Sequence, residues 1–231
     1  MNRFEGTSAD LLGPLNAVEH KYAPPRLFGA GDRSVLSHSP RIAVVGSRQV
    51  SDDGATLAAA VARQVVDHGG LVVSGLALGV DGIAHRTAME SGGRTLAVIG
   101  TPLDRSYPRE HRDLQDRIQH DHLVLTQFAD GSPVQRQNFV LRNRTMALVS
   151  HGTIIIEASE SSGTKHQGWE AIRLGRILFL PRGLAEAEFD WPRQLIEYGA
   201  IVFDGVAELR EALDEFLPSR PGTEDRREVP L

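Results

Sequence analysis

The 231-residue chain contains no cysteine, which excludes a disulfide framework, a thiolate nucleophile and any zinc site built on thiolates. Lysine is nearly absent. Only Lys21 and Lys165 occur among 25 basic residues, so positive charge rests on arginine, the side chain suited to bidentate contact with phosphate. A GC-rich genome gives the same bias. No apolar run approaches the roughly 18 residues that span a bilayer, and MNRFEGTSAD lacks the apolar segment of a signal peptide. These absences imply a cytoplasmic protein. Acidic residues are also missing between Gly131 and Ile156, where Arg136, Arg142 and Arg144 lie. The net charge of −5 is a property of the C-terminal part: from residue 184 onward there are 12 acids and 5 arginines. Nucleic acid is therefore not excluded by the overall charge, because the distribution counts for more than the total.

With 41% hydrophobic and 24% charged residues, the composition is that of an ordinary globular domain. Residues 1–39 read as an irregular lead-in packed on the domain edge, punctuated by Pro14, Pro24, Pro25, Gly29 and Gly31. From RIAVVG (41–46) onward, apolar runs alternate with segments of helical spacing. Strands are expected at LVVS (71–74), RTLAVIG (94–100), HLVLTQF (122–128), TIIIEA (153–158), RILFLP (176–181) and AIVF (200–203). Helices are expected at 52–68 behind a Ser51 cap, and near 80–91, 108–120, 140–150, 164–174, 192–198 and 205–217. This pattern predicts an α/β fold: a doubly wound, mostly parallel sheet of Rossmann-like type in a single domain, with a core over 40–217 and a disordered tail at 218–231.

Ligands of such sheets bind outside the carboxyl ends of the strands, and four loops there are unusual. In GSRQVS (46–51), Gly46 and Ser47 can expose backbone N–H groups while Arg48 reaches an anion beside them. A tight turn with a solvated arginine is the plainer reading. SGLALGVDG (74–82) feeds a helix N-terminus, whose partial positive charge favours phosphate or carboxylate. Asp81 there would cap the helix or hold a loop hydroxyl. His85 on the same helix reads as a packed core residue. The loop lacks both Gly-Lys-Ser/Thr and G-x-G-x-x-G, so neither a nucleoside triphosphate nor a dinucleotide site is expected. LRNRT (141–145) places Arg142 and Arg144 around Asn143 near a helix start. On a regular helix the two arginines would diverge, so one ligand meets both only if the turn is irregular or the ligand extended. EASESSGTKHQGWE (157–170) puts Ser162, Gly163 and Thr164 at another helix N-terminus, with Glu157 at the strand end. Phe139 and Trp169 are candidates for stacking on bases or for the core.

Taken together, AVVGSR (43–48), VVSGLALGVDGIAH (72–85), GGRTLAVIG (92–100), LDRSYP (103–108), RNRTMALVS (142–150) and IIIEASESSGT (155–164) resemble the DNA-processing protein A family, also called DprA or Smf, over residues 40–203. The resemblance implies an extended Rossmann-like fold, single-stranded DNA binding, loading of the RecA recombinase, protection of incoming DNA in natural transformation, and a homodimer. It implies no catalytic residue, metal or cofactor. It also assigns Arg48 as a DNA-contacting arginine, and Ser47, Ser74, Gly75, Gly79 and Asp81 to a phosphate pocket. Arg142, Asn143, Arg144 and Ser162-Gly163-Thr164 form its other rim. Leu78 departs from the pattern, standing where members commonly carry arginine or another polar residue. A chain of this length is expected to lack the helical N-terminal module and winged helix of many members. A rival reading is a LOG-like nucleoside monophosphate phosphoribohydrolase with Glu157 or Glu170 as base, although the double-glycine turn of those enzymes is missing. A nucleotide sensor that signals through a partner is a third.

Overall fold

Four short apolar runs are buried along their whole length because helices cover both sheet faces: LVVS, TLAV, LVLT and GTII. In the computed structural model, which describes residues 2–38 and 40–216, they belong to a nine-stranded sheet. Its strands are β1 (Arg3–Gly6), β2 (Leu27–Gly31), β3 (Arg41–Val45), β4 (Leu71–Ser74), β5 (Thr95–Val98), β6 (Leu123–Thr126), β7 (Gly152–Ile155), β8 (Ile177–Pro181) and β9 (Ile201–Phe203). The spatial order is β1-β2-β6-β5-β4-β3-β7-β8-β9. All pairings from β6 to β9 are parallel, whereas β1 with β2 and β2 with β6 are antiparallel.

The segment expected to be irregular thus supplies two strands to one edge of the sheet. Their shortness and glycine content, RFEG and LFGAG, hide them from a search for apolar runs. The expected tail at 218–231 lies outside the described residues.

Alternation along each strand sorts side chains between two cores. Ala43 and Val45 face one side with Val73, Val98 and Met146; Ile42 and Val44 face the other with Val72, Val61 and Ala84. The second face is covered by α3 (Asp52–Asp67), α4 (Val80–Glu90) and α10 (Gly205–Phe216). The first is covered by α6 (Arg136–Val149) and α9 (Asp190–Glu197), with α7 (Thr164–Arg173) beside them. Ser51 caps α3, its Oγ accepting the Gly54 amide at 3.0 Å. Helix α5 (Arg112–Asp121) packs Leu114 and Ile118 beneath β5 and β6. Two helices of the N-terminal segment, α1 (Ser8–Leu12) and α2 (Ala17–Tyr22), complete the layer, and a single turn, α8 (Arg182–Ala185), follows β8.

Strand β3 lies between β4 and β7, with its Ala43 level with Val73 and Thr153. The chain runs outward in one direction through β4, β5 and β6 and in the other through β7, β8 and β9, so the winding reverses here. A switch point of this kind opens a crevice at the strand ends.

Candidate functional site

A cavity of about 620 Å³ occupies that crevice. The loop after β3 contributes Gly46, Ser47 and Arg48, the loop after β4 contributes Ala77 and Leu78 with Asp81 from the first turn of α4, and the loop after β7 contributes Ser162 and Gly163 with Thr164 at the start of α7. Helix α6 crosses the opening and presents Phe139, Arg142, Asn143 and Met146. A helix turns about 100° per residue, so these four share one face.

The loops are locked to each other through their backbones. Ser47 donates its amide to Glu157 O at 2.7 Å and accepts the Val80 amide at 3.2 Å. Thr164 Oγ1 donates to Gly46 O at 3.2 Å, and Thr164 N donates to Ser162 Oγ at 3.1 Å. Gly79 makes the closest approach: a Cβ there would lie 2.2 Å from Ser47 O, and its φ of +72° with ψ of −128° suits glycine. Both α4 and α7 begin behind a glycine without a side-chain cap, and Asp81 and Thr164 of their first turns line the cavity.

Asp81 is buried and accepts the amides of Gly75 at 3.1 Å and Ala77 at 3.2 Å. It therefore holds the loop rather than capping α4. Those amides are consequently committed to Asp81, and the positive charge at the floor comes from Arg142. Only 6% exposed, Arg142 donates from Nη1 to Val98 O at 3.1 Å and lies 3.9 Å from Asp81 Oδ2. Its Nε has no partner among the described residues. Gly75 makes room for it, since a Cβ there would fall 1.3 Å from Arg142 Nη1. Burial raises the Asp81 pKa, opposed by Arg142, and burial lowers that of Arg142, opposed by Asp81. Arg48 adds exposed positive charge at the mouth and forms no salt bridge among the described residues.

Beside the cavity lies a slot of about 60 Å³ lined by Gly75, Leu78, Tyr107, Pro108 and Phe139 between Arg48 and Arg142. Tyr107 and Phe139 pack with ring centroids 5.2 Å apart. Leu78, the departure from the family pattern, is 39% exposed and borders both spaces.

Gly46, Ser47, Arg48, Asp81, Arg142, Asn143, Ser162, Gly163 and Thr164 thus meet at one cavity, with Gly75 at the adjoining slot. Ser74 is buried beneath, its Oγ donating to Val44 O at 2.7 Å, and Gly79 shapes the loop from behind. Arg144 does not join them. RNR lies in the middle of α6 rather than near its start, so Arg144 points away from Arg142 and binds Glu170 through Nε at 3.1 Å and Nη2 at 3.2 Å. Trp169 packs against Tyr198 and the core, 5.4 Å between ring centroids, whereas Phe139 faces the cavity. Glu157 accepts from Ser51 N and Oγ, and Glu170 is held by Arg144 and Arg173; neither lines the cavity. His85 is buried, hydrogen-bonded through Nδ1 to Thr95 Oγ1 at 2.7 Å, and burial pushes its pKa down to about 3. Gln49, Gln167 and Tyr107 join the lining without having been singled out in the sequence. Gln167 lies one turn beyond Gly163 on α7, a spacing that would have pointed to it.

The fold and cavity define a Rossmann-like protein with an arginine-floored pocket at its switch point. Residues 9–214 match the DNA recombination-mediator protein A family, and the chain belongs to it. DNA processing protein DprA of Streptococcus pneumoniae is 40% identical over 131 residues, 56% of this chain and 46% of that protein. Its Bacillus subtilis counterpart is 32% identical over 196 residues, 84% of this chain and 66% of that protein. The chain therefore spans less than two thirds of the length of either relative. The Streptococcus pneumoniae crystal structure superposes with a TM-score of 0.78 at 35% identity, covering 92% of this chain and 74% of that one. The Helicobacter pylori DNA processing protein A, whose structure describes a single-stranded DNA binding mode, superposes with a TM-score of 0.77 at 25% identity, covering 94% and 97%. A molybdenum cofactor binding protein from Rippkaea orientalis shares the fold alone, at 15% identity and a TM-score of 0.57 over 76% of this chain and 95% of that one.

Proposed function

We propose that this protein binds single-stranded DNA at the switch-point cavity and acts in DNA processing and recombination without catalysing a reaction of its own. The observation that carries this reading is the buried Arg142 at the floor of a cavity, its Nε without a partner among the described residues, with Arg48 at the mouth and in no salt bridge among those residues. A buried arginine held in place, an exposed arginine beside it and two helix N-termini suit a phosphate backbone. The Tyr107–Phe139 slot adds an apolar face for a base, and such stacking is tolerant of sequence. The phosphate-binding set is Gly46, Ser47, Arg48, Arg142, Asn143, Ser162, Gly163 and Thr164, with Ser74, Gly75, Gly79 and Asp81 as supports that shape the loop beneath it.

The commitment of Glu157 and Glu170 to other partners favours binding over N-glycoside cleavage. Family membership supports action as a cytoplasmic homodimer with the RecA recombinase during DNA uptake. Among the described residues no helix is long and apolar enough to cross a membrane. Calorimetry with a short oligothymidylate and with mononucleotides tests the reading. The oligonucleotide is expected to bind and the mononucleotides to remain intact. Release of free base from a nucleoside monophosphate, abolished by Glu157→Gln, would overturn it.

A further inference from the structure

Arg144 lies one residue beyond Asn143, which lines the cavity, and its own guanidinium faces the N-terminal segment. It sits 5.1 Å from the centre of the Tyr22 ring, and Arg173 of α7 sits 5.3 Å from the same ring. Between the two arginines lies Glu170, 6% exposed, which accepts from Arg144 Nε at 3.1 Å and from Arg173 Nη1 at 2.7 Å. One carboxylate, two guanidiniums and one aromatic ring thus join α2, α6 and α7.

A second set of bonds holds the same helices. Arg176 binds Glu19 of α2 and donates to Ala147 O at 3.3 Å and Leu148 O at 3.1 Å, carbonyls in the last turn of α6. Beneath it, Ala147, Leu148 and Leu174 pack against Leu12, Leu15 and Tyr22. Helices α6 and α7 therefore each carry two faces. One holds Arg142, Asn143, Thr164 and Gln167 at the cavity; the other is clasped by the N-terminal segment.

We infer that Tyr22, Arg144 and Glu170 are positioning residues: a clasp that sets the separation of α6 and α7 and hence the shape of the DNA cavity. This inference rests on the proposed DNA binding. The second arginine of RNR then acts on the ligand only through Glu170 and Tyr22, without neutralising a phosphate.

The test measures oligothymidylate affinity against salt concentration for the full chain and for Tyr22→Ala, Tyr22→Phe, Arg144→Ala and Arg48→Ala, with folding checked by circular dichroism. Perturbing residues that act through packing typically changes binding about 2- to 30-fold. Tyr22→Ala and Arg144→Ala are expected to fall in that range with the salt slope of the unaltered protein, and Tyr22→Phe to bind as it does. Arg48→Ala should lower the slope by about 0.7, the share of one single-strand phosphate. A comparable loss of slope in Arg144→Ala, or full affinity in Tyr22→Ala, would overturn the clasp. Hydrogen exchange in residues 136–149 and 164–173 tests it without DNA. Tyr22→Ala should speed exchange there, and unchanged protection counts against the clasp. If the unaltered protein binds no DNA while exchange responds as expected, the functional reading fails and the clasp stands.

Discussion

Replacing Gly79 by alanine tests whether the site loops are as tightly locked as their geometry implies. Its φ of +72° and ψ of −128° lie outside the regions open to other residues, and holding alanine there costs about 1–3 kcal/mol. The added Cβ would stand 2.2 Å from Ser47 O and 2.7 Å from Arg48 O. Both are backbone atoms of a loop tied to Glu157 and Val80, so relief requires moving the backbone, at roughly 1–3 kcal/mol for overpacking of this kind. The sum is about 4 kcal/mol. At roughly 2–4 °C per kcal/mol for a domain of this size, the melting temperature should fall by about 8–16 °C. Gly92 is the internal control: its φ is also +72°, but nothing lies within 4 Å of its Cβ position. Gly92→Ala meets only the left-handed backbone cost, about 1–2 kcal/mol. Differential scanning fluorimetry on both variants gives the comparison directly. Equal losses would refute the argument, because they would mean that contact between the 46–48 and 75–79 loops contributes nothing.

Three further outcomes are expected. Gly163→Ala should leave stability close to that of the unaltered protein by thermal melting, since its φ is −62° and its Cβ position is open. Ser51→Ala removes the α3 cap and a donor to Glu157, so urea denaturation should show a loss of about 1 kcal/mol. Stability should also fall between pH 6.5 and pH 4. Burial holds His85 at a pKa of about 3 and His151, beside Arg41, at about 4, so both stay neutral in the fold while their unfolded forms take up protons. Each group contributes a slope of up to about 1.4 kcal/mol per pH unit, with stability present above pH 6.5 and lost on acidification. Asp81, raised by burial, works in the opposite sense above pH 3.8, where its folded form takes up a proton before its unfolded form does. In His85→Gln the stability should change less between pH 7 and pH 5, as measured by urea titration; an unchanged difference would remove His85 from the explanation.

The parallel core was legible because LVVS, TLAV and LVLT each announce a buried strand and Ser51 announces a helix start. The site loops were legible for a related reason, since the strand ends of a doubly wound sheet must converge at its switch point. The start of α6 was not. Gln135 supplies no side-chain cap and the first turn holds no acid, so RQNFVLRNR gives no signal of where the helix begins. That shift of several residues placed Arg142 and Arg144 near the helix start, where one ligand could meet both only through an irregular turn or an extended shape. The role of Arg144 depends on Tyr22 and Glu170, neither of which is near it in sequence, and no local pattern encodes such a meeting. Strands β1 and β2 escaped notice because four or five residues with glycine give too little alternation to read.

The claim that an arginine-lined cavity holds a polynucleotide backbone is tested most directly by anisotropy of a labelled short oligothymidylate, titrated with the unaltered protein and with Arg48→Ala across a salt series. The account predicts binding whose log affinity falls linearly with log salt, and a slope shallower by about 0.7 once Arg48 is gone. Absence of binding at moderate salt, or an identical slope in the two proteins, would contradict it.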